Sequence, residues 1–175
     1  MKAMWSALVL GLVVASWAAP TAASAQSPFG DLAKKAGQAG KGELEKRINA
    51  KLLTEGKKNQ CSFKSGTDVL APGCEQKLKN LAGQLIEAKK QLDSSGARAY
   101  KFVVSGHTDS VGDAKKNKAL SEKRAAVIVK EMVARGVPRG EIIAVGRGSE
   151  QMLEKPDNTE AKRAKNRRYE IQVKL

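Results

Sequence analysis

The sequence predicts an α+β domain in which helices pack on one face of a small mixed four-stranded sheet. Three observations support this fold class. Short segments with apolar residues at alternate positions are typical of strands, and longer segments with apolar residues three or four apart are typical of helices. The two kinds of segment alternate in the order β-α-β-α-β-(α)-β. Glycine, proline or a polar run separates most of them, as expected at element boundaries.

The first strand and helix are predicted between residues 60 and 96. Cys61-Ser-Phe63-Lys alternates apolar and polar residues, which predicts a short strand. Pro72 suits the first turn of the helix that follows. Gly96 is expected to end that helix. Its apolar face consists of Leu78, Leu81, Ala82, Leu85, Ala88 and Leu92.

The second strand and helix follow directly. Residues 100–104 alternate in the same way and predict a strand that ends at Gly106. A polar loop leads to Asp113, whose carboxylate can cap the next helix. Gly136 is expected to end this helix. Its apolar positions are Ala125, Ile128, Val129 and Met132.

The last third of the chain supplies the remaining elements. Residues 142–145 predict a third strand, and residues 146–159 a loop. A short helix is expected from Glu160 to about Asn166. The last strand is predicted from alternating apolar residues, which are Tyr169, Ile171, Val173 and Leu175.

The first 25 residues have the features of a removable export signal. Lys2 supplies a positive charge, and the 16 residues 4–19 contain no charge. Ala23-Ser-Ala25 offers the small residues of a cleavage site. A membrane span needs about 20 apolar residues, so we prefer cleavage to the alternative of an uncleaved anchor. No cysteine follows the apolar run, and we therefore expect a periplasmic protein without a lipid anchor.

Residues 26–59 are interpreted as a basic, partly helical arm, ahead of a domain that spans residues 60–175. Glycines in the first half of the arm are expected to interrupt any helix there, namely Gly37, Gly40 and Gly42. Apolar residues recur every four positions further on, at Leu44, Ile48 and Leu52. Residues 43–53 are therefore predicted to form a short amphipathic helix, and residues 54–60 a polar linker.

The composition narrows the classes of function. Lysine and arginine outnumber aspartate and glutamate by 32 to 18, which gives a formal charge of +14. This excess favours anionic partners, such as a cell wall or a lipid surface. A single histidine argues against a metal cluster, and no cofactor is expected. Export and the low aromatic content argue against nucleic acid as the partner.

The chain contains two cysteines, Cys61 and Cys74. An even number of cysteines in an exported chain predicts a disulfide. A bridge that closes a loop of about 14 residues would stabilise the fold by roughly 3 kcal/mol. Two free buried thiols are the alternative.

The most informative segment is Gly-His-Thr-Asp-Ser-Val-Gly at residues 106–112, because it follows a strand where sheets with helices often place ligands. Asp109 lies in this loop, and Arg124 lies in the middle of the next helix. Together they suit a zwitterion, since the carboxylate binds an ammonium and the guanidinium binds a carboxylate through two hydrogen bonds. The alternative is a salt bridge between the two side chains. His107 has no nucleophile paired with it by any motif and is interpreted as structural.

An ordered series of motifs continues from this segment to the end of the chain. Their residues are Gly106-His-Thr-Asp109, Gly112, Asn117, Leu120-Ser121, Arg124-Ala125, Val127, Gly136-Val137, Gly146-x-Gly148, Pro156, Asn158 and Arg163-Ala164-x-Asn166-Arg167-Arg168. With Phe63 and the helix after Pro72, they make residues 60–175 similar to the C-terminal domain of the OmpA family. Lys162 and the longer charged segment 149–155 depart from the family pattern, so we expect local loop differences.

The resemblance implies non-covalent binding of peptidoglycan through meso-diaminopimelate, whose amino-acid centre carries an ammonium and a carboxylate. By motif, Asp109 would hold the ammonium and Arg124 the carboxylate. The other positions carried over are Thr108, Asn117 and Leu120, which would line the pocket, and Arg167, which would add a cationic donor.

Three hypotheses for the function follow from these observations. The first is a non-enzymatic module that anchors the protein, or its partner, to the cell wall and supports envelope integrity. The second is a soluble component of a larger envelope assembly, in which residues 26–59 contact a protein partner and wall binding is secondary. The third, an enzyme acting on the wall, needs an acid–base pair or a metal cluster near Asp109. The sequence offers neither, so it is disfavoured.

Overall fold

A computed structural model describes residues 28–64 and 66–175, with side chains described from Gly40 onward. The predicted export signal lies outside the described residues. None of the described helices is long and apolar enough to cross a membrane. The described elements are α1 (Pro28–Lys58), α2 (Glu75–Ser94), β1 (Lys101–His107), α3 (Ala114–Ala134), a short 3-10 turn (Arg139–Glu141), β2 (Ile142–Gly148), α4 (Glu160–Asn166) and β3 (Tyr169–Lys174).

The three strands form one mixed sheet in the order β2-β1-β3. β1 runs parallel to β2 and antiparallel to β3, so that Val104 of β1 lies opposite Ala144 on one side and Ile171 on the other. Apolar side chains of α2 and α3 pack on this sheet and form the core, which includes Leu81, Leu85, Phe102, Val104, Ile128, Met132 and Ile171. The predicted α+β class is confirmed.

The predicted fourth strand is absent from the sheet, and this part of the prediction is wrong. Within the segment Cys61–Lys64, Phe63 forms only an isolated antiparallel bridge with Leu70. The backbone of Lys64 donates to Val69 at 2.8 Å, which closes a tight turn rather than a strand. The segment therefore pairs with residues 69–71 rather than with the sheet, which has three strands among the described residues.

Amide side chains from the N-terminal segment bind the outer edge of β3. The Asn49 amide nitrogen donates to the Val173 carbonyl at 3.1 Å, and the Val173 N–H donates to the Asn49 amide oxygen at 2.7 Å. Gln60 makes the same pair of bonds with Tyr169, at 2.9 and 3.0 Å. Each amide offers one donor and one acceptor, as a neighbouring strand would. These side chains satisfy the edge without a further strand.

Helix α1 is longer than the sequence predicted. It spans 31 residues, runs through Gly37, Gly40 and Gly42, and ends at Lys58. Its second half packs against the core, because Ile48 is 3% exposed and Leu52 is 1% exposed. A helical glycine costs about 1 kcal/mol relative to alanine, and packing of an apolar face commonly outweighs such a local preference. The expected interruptions, and residues 54–58 of the predicted polar linker, are therefore corrected to continuous helix.

Two glycines let α3 lie directly against the sheet. A Cβ atom built on Gly106 in β1 would overlap the backbone carbonyl oxygen of Ser121. A Cβ atom on Gly146 in β2 would lie 2.7 Å from the carbonyl oxygen of Lys118. Real Cβ atoms do not approach backbone this closely, so only glycine fits these positions. The close contact brings the first half of α3 beside the loop that follows β1.

The ends of α3 and α4 are fixed by local hydrogen bonds. Asp113 caps α3 as predicted, since its carboxylate accepts from the Lys116 N–H at 2.8 Å. Thr159 caps α4 through a bond from the Lys162 N–H at 3.3 Å. Beyond α3 the chain turns at Gly136, whose φ of 97° is readily adopted only by glycine. α4 occupies the predicted residues.

Candidate functional site

A polar cleft of about 620 Å³ opens at the carboxyl end of β1. Four segments surround it: the turn that carries Phe63, the loop after β1, the first half of α3, and α4. The cleft collects four of the six predicted site residues, Asp109, Asn117, Arg124 and Arg167. It also contains side chains that the sequence did not single out for the site, including Phe63, Val111, Glu160 and Arg163.

Arg124 is the most deeply buried charged residue of the cleft, with 6% of its surface exposed. Its Nε donates to the backbone carbonyl of Thr67 at 2.9 Å. Its guanidinium carbon lies 5.1 Å from the centre of the Phe63 ring, within the range of a cation–π contact. No described residue accepts a hydrogen bond from the two terminal nitrogens. The side chain is therefore fixed from one side, with the end of its guanidinium available to a ligand.

Electrostatics around Arg124 favour an incoming anion. Burial lowers the pKa of its guanidinium, and the positive charge of Arg167 lowers it further, whereas Asp109 and Asp68 oppose the shift. An arginine remains charged in proteins despite such shifts. A carboxylate bound to the terminal nitrogens would relieve the cost of this buried charge.

Asp109 lines the same cleft and is paired with Arg167 rather than with Arg124. Its Oδ2 accepts from Arg167 Nη1 at 2.8 Å, and its Oδ1 accepts from the Val111 N–H at 3.3 Å. The alternative of a direct salt bridge between Asp109 and Arg124 is not what the structure shows. A carboxylate has about four acceptor sites, so Asp109 retains capacity for an ammonium group.

α4 and Arg167, the residue directly after it, contribute three charged side chains to the cleft. Glu160 accepts from Arg163 Nε at 3.1 Å and also binds Arg167 Nη2. These arginines lower the pKa of Glu160, and the two carboxylates that contact Arg167 raise the pKa of its guanidinium. Arg167 is thus held between Asp109 and Glu160.

A second network fixes the loop that carries Asp109. The Asp157 carboxylate accepts from the Ser110 N–H at 2.9 Å and from the Ser110 hydroxyl at 2.5 Å. Asn166 donates to the same carboxylate at 3.1 Å. The bonds from Ser110 lower the pKa of Asp157 to about 2, so it stays ionised at neutral pH. On the other side, the Asn117 amide donates to the Val111 carbonyl at 2.9 Å.

Two of the predicted site residues lie outside the lining of the cleft. Thr108 is 3% exposed, and its N–H donates to the Gly148 carbonyl at 2.9 Å. Its hydroxyl has no hydrogen-bond partner among the described residues. Leu120 is half-buried on α3. His107 is 1% exposed at the end of β1, and burial is the main cause that lowers its pKa to about 4.

The two cysteines lie next to each other at the base of the turn that carries Phe63. The structure holds both as buried free thiols, with Cys61 Sγ 3.7 Å from the Cys74 carbonyl oxygen. Burial and the neighbouring Cys74 raise the pKa of Cys61. The disulfide stays a prediction.

The arrangement suits the binding of a small zwitterion. A carboxylate and a buried guanidinium face one cleft, and each retains hydrogen-bonding capacity. Within residues 40–64 and 66–175, no three histidine, cysteine, aspartate or glutamate side chains are grouped to hold a metal ion. The fold and cleft therefore define an α+β domain with a candidate site for ligand binding.

Comparison with known proteins identifies the family. Residues 62–167 match the OmpA family, so the chain belongs to it. Outer membrane protein A of Klebsiella pneumoniae is 35% identical over 125 residues, which are 67% of this chain and 34% of that protein. Outer membrane porin F of Pseudomonas fluorescens is 36% identical over 112 residues, 63% of this chain and 31% of that protein. The chain thus spans about a third of these relatives.

Solved structures share the fold. The peptidoglycan-associated lipoprotein of Burkholderia pseudomallei superimposes with a TM-score of 0.54 at 23% identity, over 66% of this chain and 89% of that one. The C-terminal domain of MotB from Helicobacter pylori gives a TM-score of 0.54 at 22% identity, and the match covers 66% of this chain and 84% of that one. At these identities the likeness shows the fold alone.

Proposed function

We propose that the cleft binds the stem peptide of peptidoglycan at the amino-acid centre of meso-diaminopimelate. The observation that carries the proposal is the buried Arg124, whose terminal nitrogens have no described partner and which shares the cleft with Asp109. Membership of the OmpA family and the shared fold of a protein named as peptidoglycan-associated support peptidoglycan as the ligand. The domain would then hold the protein, or a partner, to the cell wall in the periplasm.

In this proposal the two charges of the ligand are separated between the two sides of the cleft. The ligand carboxylate binds Arg124 through both terminal nitrogens, while the Thr67 carbonyl and the Phe63 ring keep the guanidinium in place. The ligand ammonium binds Asp109, which already contacts Arg167. Prior positioning of both groups reduces the entropy lost on binding. Burial of Arg124 strengthens the interaction because nearby water is limited.

We further propose binding without turnover. The charged groups that line the cleft are guanidinium and carboxylate groups, and His107 is buried at the strand end rather than in the lining. No described lining residue pairs a nucleophile with a histidine base, as covalent catalysis on the wall would require. Attachment to the wall would therefore be reversible.

Co-sedimentation with purified diaminopimelate-type sacculi tests the proposal. We would compare the mature protein with Asp109→Asn and Arg124→Lys at low and moderate salt. Arg124→Lys keeps the charge but removes the planar fork, so it tests bidentate geometry rather than charge. Matched controls are Glu87→Gln and Arg98→Lys, which make the same changes at exposed positions outside the cleft.

We expect the wild type and both controls to pellet at both salt concentrations, and both cleft variants to remain in solution. If all five proteins pellet alike and salt alone releases them, the excess positive charge carries the binding and the proposal is wrong.

A second proposal concerns the N-terminal segment, which we propose contacts a protein partner in the envelope. Gly40, Lys41 and Gly42 are exposed, and among the described side chains of α1 the first that packs against the core is Leu44. Deleting residues 26–39 would leave the packed half of α1 intact. We expect wall binding to persist and a detergent-sensitivity phenotype to appear. Unchanged detergent resistance would contradict the partner contact.

A further inference from the structure

The cleft contains more positive groups than one zwitterion can use. Its described lining includes three guanidinium groups, from Arg124, Arg163 and Arg167, and two carboxylates, from Asp109 and Glu160. A bound amino-acid centre is neutral overall, because its ammonium and carboxylate balance. It would leave the lining with one excess positive charge in a partly enclosed space.

The excess positive charge lies on Arg163 of α4 and on Arg167, which directly follows the helix. Arg163 is 28% exposed; its Nε binds Glu160 and its Nη1 makes a long contact of 3.4 Å with the Asp157 carbonyl. No described residue accepts from its second terminal nitrogen. Arg163 and Arg167 share a single carboxylate, Glu160, which is itself 67% exposed. An exposed carboxylate shared in this way neutralises the two arginines only in part.

Binding of the ligand ammonium at Asp109 would increase this imbalance. Asp109 is the other partner of Arg167, at 2.8 Å. When an ammonium shares that carboxylate, Arg167 keeps less of its counter-charge, and Arg163 lies one helical turn away on α4. Arg124 is occupied by the ligand's own carboxylate, so Arg163 and Arg167 remain for a second anion.

We propose that Arg163 and Arg167 form a second anion position, which takes a second carboxylate of the same stem peptide. This inference rests on the proposed function. The stem offers two sources of the same chemistry: the α-carboxylate of the D-glutamate before diaminopimelate, and the carboxylate at the carboxyl end of the peptide. The cleft volume of about 620 Å³ exceeds what one amino-acid centre fills and lies within the range of small-molecule sites.

Titration calorimetry with synthetic stem tripeptides tests this position. The parent is L-alanyl-γ-D-glutamyl-meso-diaminopimelate. In each of two further peptides a primary amide replaces one carboxylate: the D-glutamate α-carboxylate in the first, and the carboxylate at the carboxyl end in the second. The proteins are the wild type, Arg163→Gln and Lys165→Gln. Lys165 lies on the same helix, 63% exposed and paired with Glu154 outside the cleft, so its substitution is a matched loss of charge.

We expect one of the two amides to weaken binding to the wild type and to Lys165→Gln by about tenfold, the loss typical of one charge-assisted hydrogen bond. Arg163→Gln should bind the parent about tenfold more weakly and lose the sensitivity to that amide. Equal sensitivity of Arg163→Gln and the wild type, or no effect of either amide, would overturn the second position and leave the proposed function intact. Failure of the wild type to bind any of the tripeptides would overturn both.

Discussion

The edge of β3 and the cleft are both built by side chains that are far apart in sequence, but they leave polar groups in opposite states. At the β3 edge, Asn49 bonds both backbone groups of Val173, and Gln60 bonds both backbone groups of Tyr169. In the cleft, Arg124 donates a hydrogen bond through Nε, and its terminal nitrogens have no partner among the described residues.

Because of this difference, we expect the β3 edge to contribute mainly to the stability of the fold and Arg124 to contribute mainly to ligand binding. A buried polar pair that is satisfied on both sides stabilises the fold, and loss of one partner leaves the other unpaired. A buried charge that is satisfied on one side only is costly to the free protein but ready for a ligand. Substitutions in the two regions should therefore affect different measurements.

The largest expected effect comes from the turn that connects the two regions. Cys61 follows Gln60 at the β3 edge, and Phe63 and Thr67 in the same turn hold Arg124. If oxidised glutathione accepts the two hydrogens of Cys61 and Cys74, the resulting disulfide should raise the free energy of unfolding by about 3 kcal/mol. Urea unfolding of oxidised and reduced protein measures this difference, and intact mass verifies the oxidation.

The Cys74→Ala variant is the control for this prediction. It should unfold at the same urea concentration with and without the oxidant. An oxidised wild type that is no more stable than the reduced protein would contradict the disulfide as a stabilising element.

The second prediction concerns Arg124→Met, which keeps an unbranched apolar side chain and removes the guanidinium with its charge. We expect about a hundredfold loss of affinity for the stem peptide, the loss typical when one partner of a buried charge pair is removed. The free energy of unfolding should stay equal or rise, because a half-satisfied buried charge is replaced by an apolar group. Calorimetry and urea unfolding provide the two readouts, with Arg98→Met as the exposed control. A marked loss of stability would place Arg124 with the structural residues.

The third prediction is the opposite case, Asn49→Ala at the β3 edge. Two hydrogen bonds to Val173 are lost, so the free energy of unfolding should fall by about 2 kcal/mol. Affinity for the stem peptide should not change. The control is Gln91→Ala, an exposed amide on α2 without a hydrogen bond among the described residues. A change in affinity comparable to that of Arg124→Met would show that the two regions are coupled.

The smallest effect is expected at His107, a buried group near the cleft. Burial, together with the positive charges of Arg168 and Arg147, lowers its pKa to about 4, and Glu170 opposes the shift. An unfolded histidine titrates near 6.5, so between pH 6.5 and 4 the unfolded chain binds more protons than the folded one. His107 therefore reduces stability as the pH falls through this window, by about 1 kcal/mol at pH 5.5 relative to pH 7.5. His107→Phe should remove that part of the pH dependence, and an unchanged dependence would contradict the assignment.

The sequence could predict what depends on neighbouring residues. The cap at Asp113, the turn at Gly136 and the bounds of α4 follow from short-range chemistry, and the structure shows all three. The motif around Asp109 and Arg124 also located the cleft, because a strand, a loop and a helix return the chain over a short distance.

Contacts across long separations were not predictable in the same way. Asn49 and Val173 are 124 residues apart, and Asp109 and Arg167 are 58 apart. Nothing local to either partner specifies such a pair, because the sheet order decides which segments meet. The prediction that Gly37, Gly40 and Gly42 interrupt α1 was wrong for a related reason. The local preference of glycine disfavours a helix there, but packing of the second half of α1 against the core supports it.

The close contact of α3 with Gly106 and Gly146 has a consequence for how the domain can diverge among relatives. Because α3 lies on bare backbone at these two points, its distance from the sheet does not depend on the size of any side chain there. A mutation that adds a methyl group at either glycine would displace the helix, and with it Asn117 and Arg124 together. Substitutions inside the cleft leave that distance unchanged. Related domains can therefore differ in the side chains that select a ligand and still keep the same distance between α3 and the sheet.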